Sequence, residues 1–314
     1  MRPAAPSASR VAVVIPSPGF SKVAAFGSNP GGLAMNLYTP AAVRPRAPLV
    51  VVLHGCGQHA REFASDSGWV TMADQLGFPL VLPEQRLENN HGRCFNWFRP
   101  GDTKRGSGEV LSIRQMVALA KRSFAGSGRR AFVVGLSAGG SMAAACLAAY
   151  PDVFAAGAVI AGLPVGAASN LPSAMGRMAH AGSDLGPAQW ALAARASAPG
   201  HTGRYPRLSV WQGGADRSVD PANAENLVAQ WRGLSGLGAD PFLDETRPGG
   251  ARHRAWGTPA RRVIEWWTVP GMAHGYPIEA GSRSDRFVIA AGIDATEEIA
   301  RSWGLLPTAS DHTR

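Results

Sequence analysis

Residues 131–151, AFVVGLSAGGSMAAACLAAYP, decide how this chain is read. The stretch opens on apolar, partly β-branched residues, turns at Gly135-Leu136-Ser137-Ala138-Gly139 and continues as an Ala-rich run to Tyr150. That order predicts a buried strand, a tight turn and a helix, with Ser137 at the apex. Glycines flank the serine because its backbone is strained and nothing bulky fits where strand and helix meet. A G-x-S-x-G string alone arises by chance in many proteins. Between a strand and a helix it reads as a nucleophile elbow, and the rest of the chain tests that reading.

Working outward, the neighbouring segments alternate in type. GLAMNLYTP (32–40) reads as a strand, and PLVVVLHGCGQ (48–58) as a β-branched, buried central strand ending in His-Gly-Cys-Gly. REFASDSGWVTMADQLG predicts an amphipathic helix around a glycine, and FPLVLPEQ (78–85) the next strand. A long loop mixing aromatic and charged residues follows, then the helix EVLSIRQMVALAKRSF. Loops of that length in compact domains are usually functional or disordered, and the aromatics favour function. After the elbow come the strand FAAGAVIAGLP (154–164), an Ala/Gly/Pro/Ser-rich stretch with helical fragments (165–206), and the strand-helix block RLSVWQGGADRSVDPANAENLVAQW. A polar, Gly-rich loop is expected over 233–258, then a last strand and histidine turn in ARRVIEWWTVPGMAHGYP. DRFVIAAGIDATEEIARSWGLL is expected to close the chain as strand, break and helix. This alternation predicts a mostly parallel central sheet flanked by helices, without repeats or a second domain. The expected organisation is a peripheral segment (1–30), one catalytic domain (31–306) with a cap-like insertion (165–206) after the sixth strand, and a flexible tail (307–314).

Bulk properties narrow the class. The chain has 314 residues, 45% apolar, enough for a full-sized core. Its net charge of +9 comes almost wholly from arginine, and reads as a solvated basic surface. No zinc finger, RNP motif or basic-aromatic stripe accompanies it, so no nucleic-acid partner is expected. No apolar run approaches a membrane span. The N-terminus, interrupted by Pro16 and Pro18, lacks a convincing signal-peptide pattern, and on that reading the expected compartment is the cytoplasm. Three cysteines exclude a disulfide scaffold and a Cys-rich zinc site. No metal or cofactor is expected.

Acyl transfer by serine needs a base, a carboxylate to orient the base, and two N–H donors where the oxyanion forms. In a parallel α/β sheet with this elbow the partners follow in the order Ser, Asp, His, each in a loop past a strand end. Asp216 and His274 occupy such positions after the strands at 207–213 and 263–269. Asp220, the alternative acid, stands where it can cap a helix opening at Pro221. His54 also follows a strand, but its HG turn suits support of the oxyanion loop. His59, His91, His180, His201 and His253 read as surface residues. The oxyanion donors expected are the backbone N–H groups of Ala138, at the start of the elbow helix, and Cys56.

With those residues in place, the chain resembles the poly(3-hydroxybutyrate) depolymerase-type esterases of the α/β-hydrolase superfamily. The resemblance runs through HGCGQ (54–58), RCFNWF (93–98), GSGEVLSIRQM (106–116) and GLSAGG (135–140). It continues through QGGADRSVDPANAENLVAQW (212–231), GMAHGYPI (271–278) and GIDATEEIARSWGL (292–305). It implies Ser137, Asp216 and His274 as the triad, a disulfide between Cys56 and Cys94, and an extracellular or periplasmic alternative to the cytoplasm. Cys146, mid-helix, reads as a small core residue. Phe95, Asn96, Trp97 and Phe98 would form an apolar wall with one amide for an ester carbonyl, unless two of them only pack the loop. Trp211, Trp266 and Trp267 read as core. The resemblance implies a serine ester hydrolase acting on poly- or oligo(3-hydroxybutyrate); a monomer or homodimer is expected. The chain departs from the family pattern in that no carboxy-terminal substrate-binding domain is read in it and in its HGYP histidine turn. The alternatives are a short-chain or feruloyl carboxylesterase, an acyltransferase, and a non-catalytic granule-binding relative.

Overall fold

The computed structural model describes residues 17–124, 130–182, 185–247, 249–279 and 286–306. The tail expected at 307–314 lies outside the described residues. The chain opens with β1 (Gly19–Val23), β2 (Ala34–Thr39) and β3 (Leu49–Leu53), then α1 (Ala60–Asp66), α2 (Trp69–Leu76) and β4 (Leu80–Glu84). Gly68, at φ 82°, breaks the long helix read from sequence into α1 and α2. After α3 (Pro100–Thr103) and α4 (Gly108–Ser123), β5 (Ala131–Leu136) leads into α5 (Ala138–Ala149) and β6 (Phe154–Ile160). The segment at 165–206 carries α6 (Leu171–Ala179) and α7 (Pro187–Arg195). β7 (Arg207–Gly213), α8 (Ala222–Ser235), β8 (Leu243–Thr246), β9 (Arg252–Thr258) and β10 (Arg261–Val269) follow, and β11 (Tyr276–Ile278), β12 (Val288–Ala290) and α9 (Ala295–Ser302) complete the described chain.

Ten strands form one sheet in the order β1-β2-β4-β3-β5-β6-β7-β10-β9-β8. The six from β4 to β10 in that order run parallel, with antiparallel pairs at both edges. β3 shows why both faces are buried: Leu49, Val51 and Leu53 pack into one core, Val50 and Val52 into the other. α5 is apolar all round and every one of its residues is buried, Cys146 among them as a free thiol. On the opposite face Trp303 stacks on Phe132 at 4.7 Å and on Trp69 at 5.4 Å. Among the described residues no helix is long and apolar enough to cross a membrane.

Three expectations change. Part of the segment read as peripheral, Gly19–Val23, is hydrogen-bonded to β2 as an edge strand. The region read as a polar loop over 233–258 contains β8 and β9, which extend the sheet beyond β10. The closing strand read in DRFVIAAG, β12, does not join the main sheet but pairs with β11 in a separate two-stranded ribbon. The insertion packs along α8, where Gln230 Nε2 donates to the Val165 and Trp190 carbonyls.

His253, read as a surface residue, is 1% exposed on β9. Its ring stacks on Trp267 at 3.9 Å and its Nε2 lies 2.9 Å from Glu265 Oε2. Ser302 Oγ and Arg262 also donate to Glu265. Burial raises the Glu265 carboxyl, but the His253 and Ser302 bonds and the nearby positive charge outweigh it, so its value falls below 4.5. A depressed folded value means the stabilisation is present above pH 4.5 and is lost as pH falls through the folded value. Glu265→Gln should therefore cost about 3 kcal/mol at neutral pH. In urea titrations its deficit against wild type should shrink as the solution is acidified.

Candidate active site

Ser137, Asp216 and His274 each lie just past the carboxyl end of a parallel strand: β5, β7 and β10. These strands and β6 are consecutive neighbours in the sheet, so all three loops emerge from one edge. Ser137 has φ 57° and ψ −119°, a conformation rarely taken by non-glycine residues, and its N–H donates to the Ile160 carbonyl at 2.8 Å. The elbow glycines are required by contact. A Cβ on Gly135 would lie 2.2 Å from the Gly139 carbonyl oxygen, and one on Gly139 would lie 2.3 Å from that of Leu53. A Cβ on Gly213 would come within 2.4 Å of the Met272 carbonyl oxygen. The elbow therefore abuts the turn after β3, and the acid's loop abuts the histidine turn.

His274 Nδ1 lies 2.7 Å from Asp216 Oδ2. The Asp216 carboxylate also accepts from Gln212 Nε2 on Oδ2, and from the Ser218 and Val219 N–H groups on Oδ1. Burial alone raises this carboxyl. The His274 bond and charge and the two backbone donors reverse that and hold it below its ordinary range. Asp220 is occupied differently: Oδ1 accepts from Ala222 N–H at the start of α8, and Oδ2 from Ala181 N–H after α6. Geometry thus pairs His274 with Asp216 and gives Asp220 a capping role. Gln212, which sequence reasoning passed over, stands four residues before Asp216 on the same strand end.

On the other side of the elbow, His54 is wholly buried, and burial lowers its value to about 4. The ring is neutral: Nδ1–H donates to the Gly55 carbonyl at 2.7 Å while Nε2 accepts from Gln85 N–H at 3.1 Å. This fixes the turn leading to Cys56. Among the described residues neither Cys56 N–H nor Ala138 N–H donates to another protein group. A disulfide joins Cys56 to Cys94, with Cα atoms 4.2 Å apart.

The aromatic loop differs from expectation. Phe95 and Asn96 are fully buried. Phe95 packs its ring 4.9 Å from that of His54. Asn96 Nδ2 donates to Glu109 and its Oδ1 accepts from Asn90, so this amide serves the loop and cannot meet an ester carbonyl. Trp97 and Phe98, edge-to-face at 5.7 Å, keep 7% and 6% exposure and are the remaining candidates for an apolar wall. A separate cavity of 610 Å³, lined by charged groups including Arg207, Arg262 and Glu265, lies toward the opposite ends of β7 and β10.

Comparison with known proteins gives the family. The family model described as Esterase PHB depolymerase matches residues 33–255. Poly(3-hydroxyalkanoate) depolymerase C of Paucimonas lemoignei is 38% identical over 296 residues, covering 91% of this chain and 70% of that protein. Feruloyl esterase B of Talaromyces funiculosus is 30% identical over 290 residues, covering 89% of this chain and 79% of that one. An acetyl xylan esterase structure from Aspergillus awamori superposes with a TM-score of 0.79, covering 92% of this chain and 100% of the other. At 23% identity that likeness speaks to the fold. The elbow, the parallel sheet and these matches lead to one conclusion: the chain belongs to the Esterase PHB depolymerase family, and is a carboxylic ester hydrolase of α/β-hydrolase fold.

Proposed function

We propose that this esterase works through an acyl-enzyme on Ser137, with His274 as base, Asp216 as orienting carboxylate, and polyesters or oligomers of short 3-hydroxyalkanoates as substrates. The observation that carries the chemistry is the 2.7 Å contact between His274 Nδ1 and Asp216. It leaves Nε2 of the same ring for the serine. Ser137 Oγ attacks the ester carbonyl carbon as His274 Nε2 takes its proton, and the carbonyl oxygen gathers negative charge between the Cys56 and Ala138 N–H groups. Collapse of the tetrahedral intermediate breaks the bond to the alcohol, which leaves with the proton from His274. Water then repeats the sequence on the acyl-enzyme and releases the acid.

The substrate class is supported by the 38% identity to a depolymerase over nearly the whole chain. The 30% identity to a feruloyl esterase supports a second reading, an aryl or feruloyl ester hydrolase with the same residues. Rates on a soluble 3-hydroxybutyrate oligomer, p-nitrophenyl butyrate and methyl ferulate separate them. Turnover of the oligomer at a rate comparable to the aryl ester is expected. Cleavage of ferulate with an inert oligomer would replace the polyester reading with the feruloyl one. The Cys56–Cys94 disulfide favours an oxidising compartment over the cytoplasm expected from the N-terminal sequence.

A further inference from the structure

Glu109 belongs to the GSGEVLSIRQM block, which the proposed chemistry leaves without a role. It opens α4, has no exposed surface, and stands among N–H donors. Its Oε2 accepts from the Asn96 backbone N–H at 2.9 Å. Its Oε1 accepts from Asn96 Nδ2 at 2.8 Å, Gln85 Nε2 at 2.6 Å and Asn89 Nδ2 at 3.2 Å. All four partners are donors, so they favour the ionised form and oppose the effect of burial. Burial pushes this carboxyl upward and the nearby Asp102 charge adds to that, and the Asn96 and Gln85 donors pull it back only in part, leaving it at about 8.

Two chains of contacts lead from this carboxyl group to the turn carrying Cys56. In the first, Gln85 donates its backbone N–H to His54 Nε2, and His54 Nδ1–H holds the Gly55 carbonyl. In the second, Gln85 Nε2 also bonds the Cys94 carbonyl, and Cys94 is cross-linked to Cys56. Phe95, between Cys94 and Asn96, packs against the His54 ring.

We infer that Glu109 is a positioning residue for ester hydrolysis, gathering Gln85 and Asn96 so that the Cys56 N–H is held where the oxyanion forms. The inference rests on the reading that Cys56 N–H is an oxyanion donor and Ser137 the nucleophile. It assigns Glu109 no contact with substrate. A donor displaced by about an ångström from the charge it meets loses most of its effect on rate, up to roughly 100-fold.

The test is Glu109→Gln, which keeps the volume but turns one acceptor into an NH2 facing a donor. Active sites are counted with a fluorophosphonate label, and kcat is expressed per labelled site, so a partly unfolded population does not mimic the effect. The expected result is a kcat about 10- to 100-fold lower on p-nitrophenyl butyrate and on the hydroxybutyrate oligomer alike, with KM little changed. A wild-type kcat per labelled site would overturn the inference and leave Glu109 a packing residue. So would a loss confined to the oligomer, which would make the loop a substrate contact only. If Glu109→Gln does not fold, Asn96→Ala removes a donor from the other side of the same bond: the same kcat signature supports the inference, and a wild-type rate overturns it. Failure of the label to react with the wild-type protein would instead refute the Ser137 reading, and the inference with it.

Discussion

Ser137→Ala should lower kcat for every ester by about a million-fold while leaving the melting temperature close to that of wild type. The hydroxyl is the only part of the side chain removed, and the elbow does not depend on it. The Ser137 backbone is held by its N–H bond to the Ile160 carbonyl and by the bonds that Ser141 makes to the Ser137 carbonyl. Alanine at φ 57° meets the same strain as serine, so no new cost arises. Residual turnover would come from the N–H donors and from substrate binding alone. The measurement is kcat on p-nitrophenyl butyrate beside a thermal melt. Retained activity in a folded variant would end the acyl-enzyme reading.

Asp216→Asn should cost on the order of 10⁴ in kcat, through a misplaced proton. Oδ1 of this residue accepts two backbone N–H groups, from Ser218 and Val219, and only an oxygen can stay there. The amide NH2 must then replace Oδ2, facing His274 Nδ1 and Gln212 Nε2. Donating to Nδ1 forces the imidazole proton onto Nε2, the nitrogen needed to receive the serine proton. The fold should survive, because the backbone bonds remain. The comparison variant is Asp220→Asn, expected to hydrolyse esters near the wild-type rate. A severe loss in Asp220→Asn with a mild one in Asp216→Asn would exchange the two assignments.

The parts that were legible in the sequence are those governed by local pattern. β3, β5 and β6 are apolar on both faces, so their runs are continuous, and the elbow glycines are dictated by contacts within a few residues or across one strand. β8 and β9 escaped because they end the sheet. Asp244 and Glu245 sit side by side on β8 and Arg252 and Arg254 flank His253 on β9, and a charged, half-exposed strand reads as a loop. His253 looked like one more charged-loop residue for the same reason, although Glu265 and Trp267 enclose it from β10. Asn96 was read as facing substrate because RCFNWF shows its neighbours but not Glu109, thirteen residues on, which claims its amide. Long-range pairing of buried polar groups leaves no periodic trace in a single sequence.

The placement of Ser137, Asp216 and His274 on three different strand ends divides the protein into two kinds of territory. The strands and α5 set where the reacting groups stand, and their packing tolerates little change. Surfaces such as the loop bearing Trp97 and Phe98, or the insertion along α8, can vary in length and composition without moving that frame. A common frame can then carry a poly(3-hydroxyalkanoate) depolymerase in one relative and a feruloyl esterase in another. Substrate range in such a design is inherited separately from mechanism.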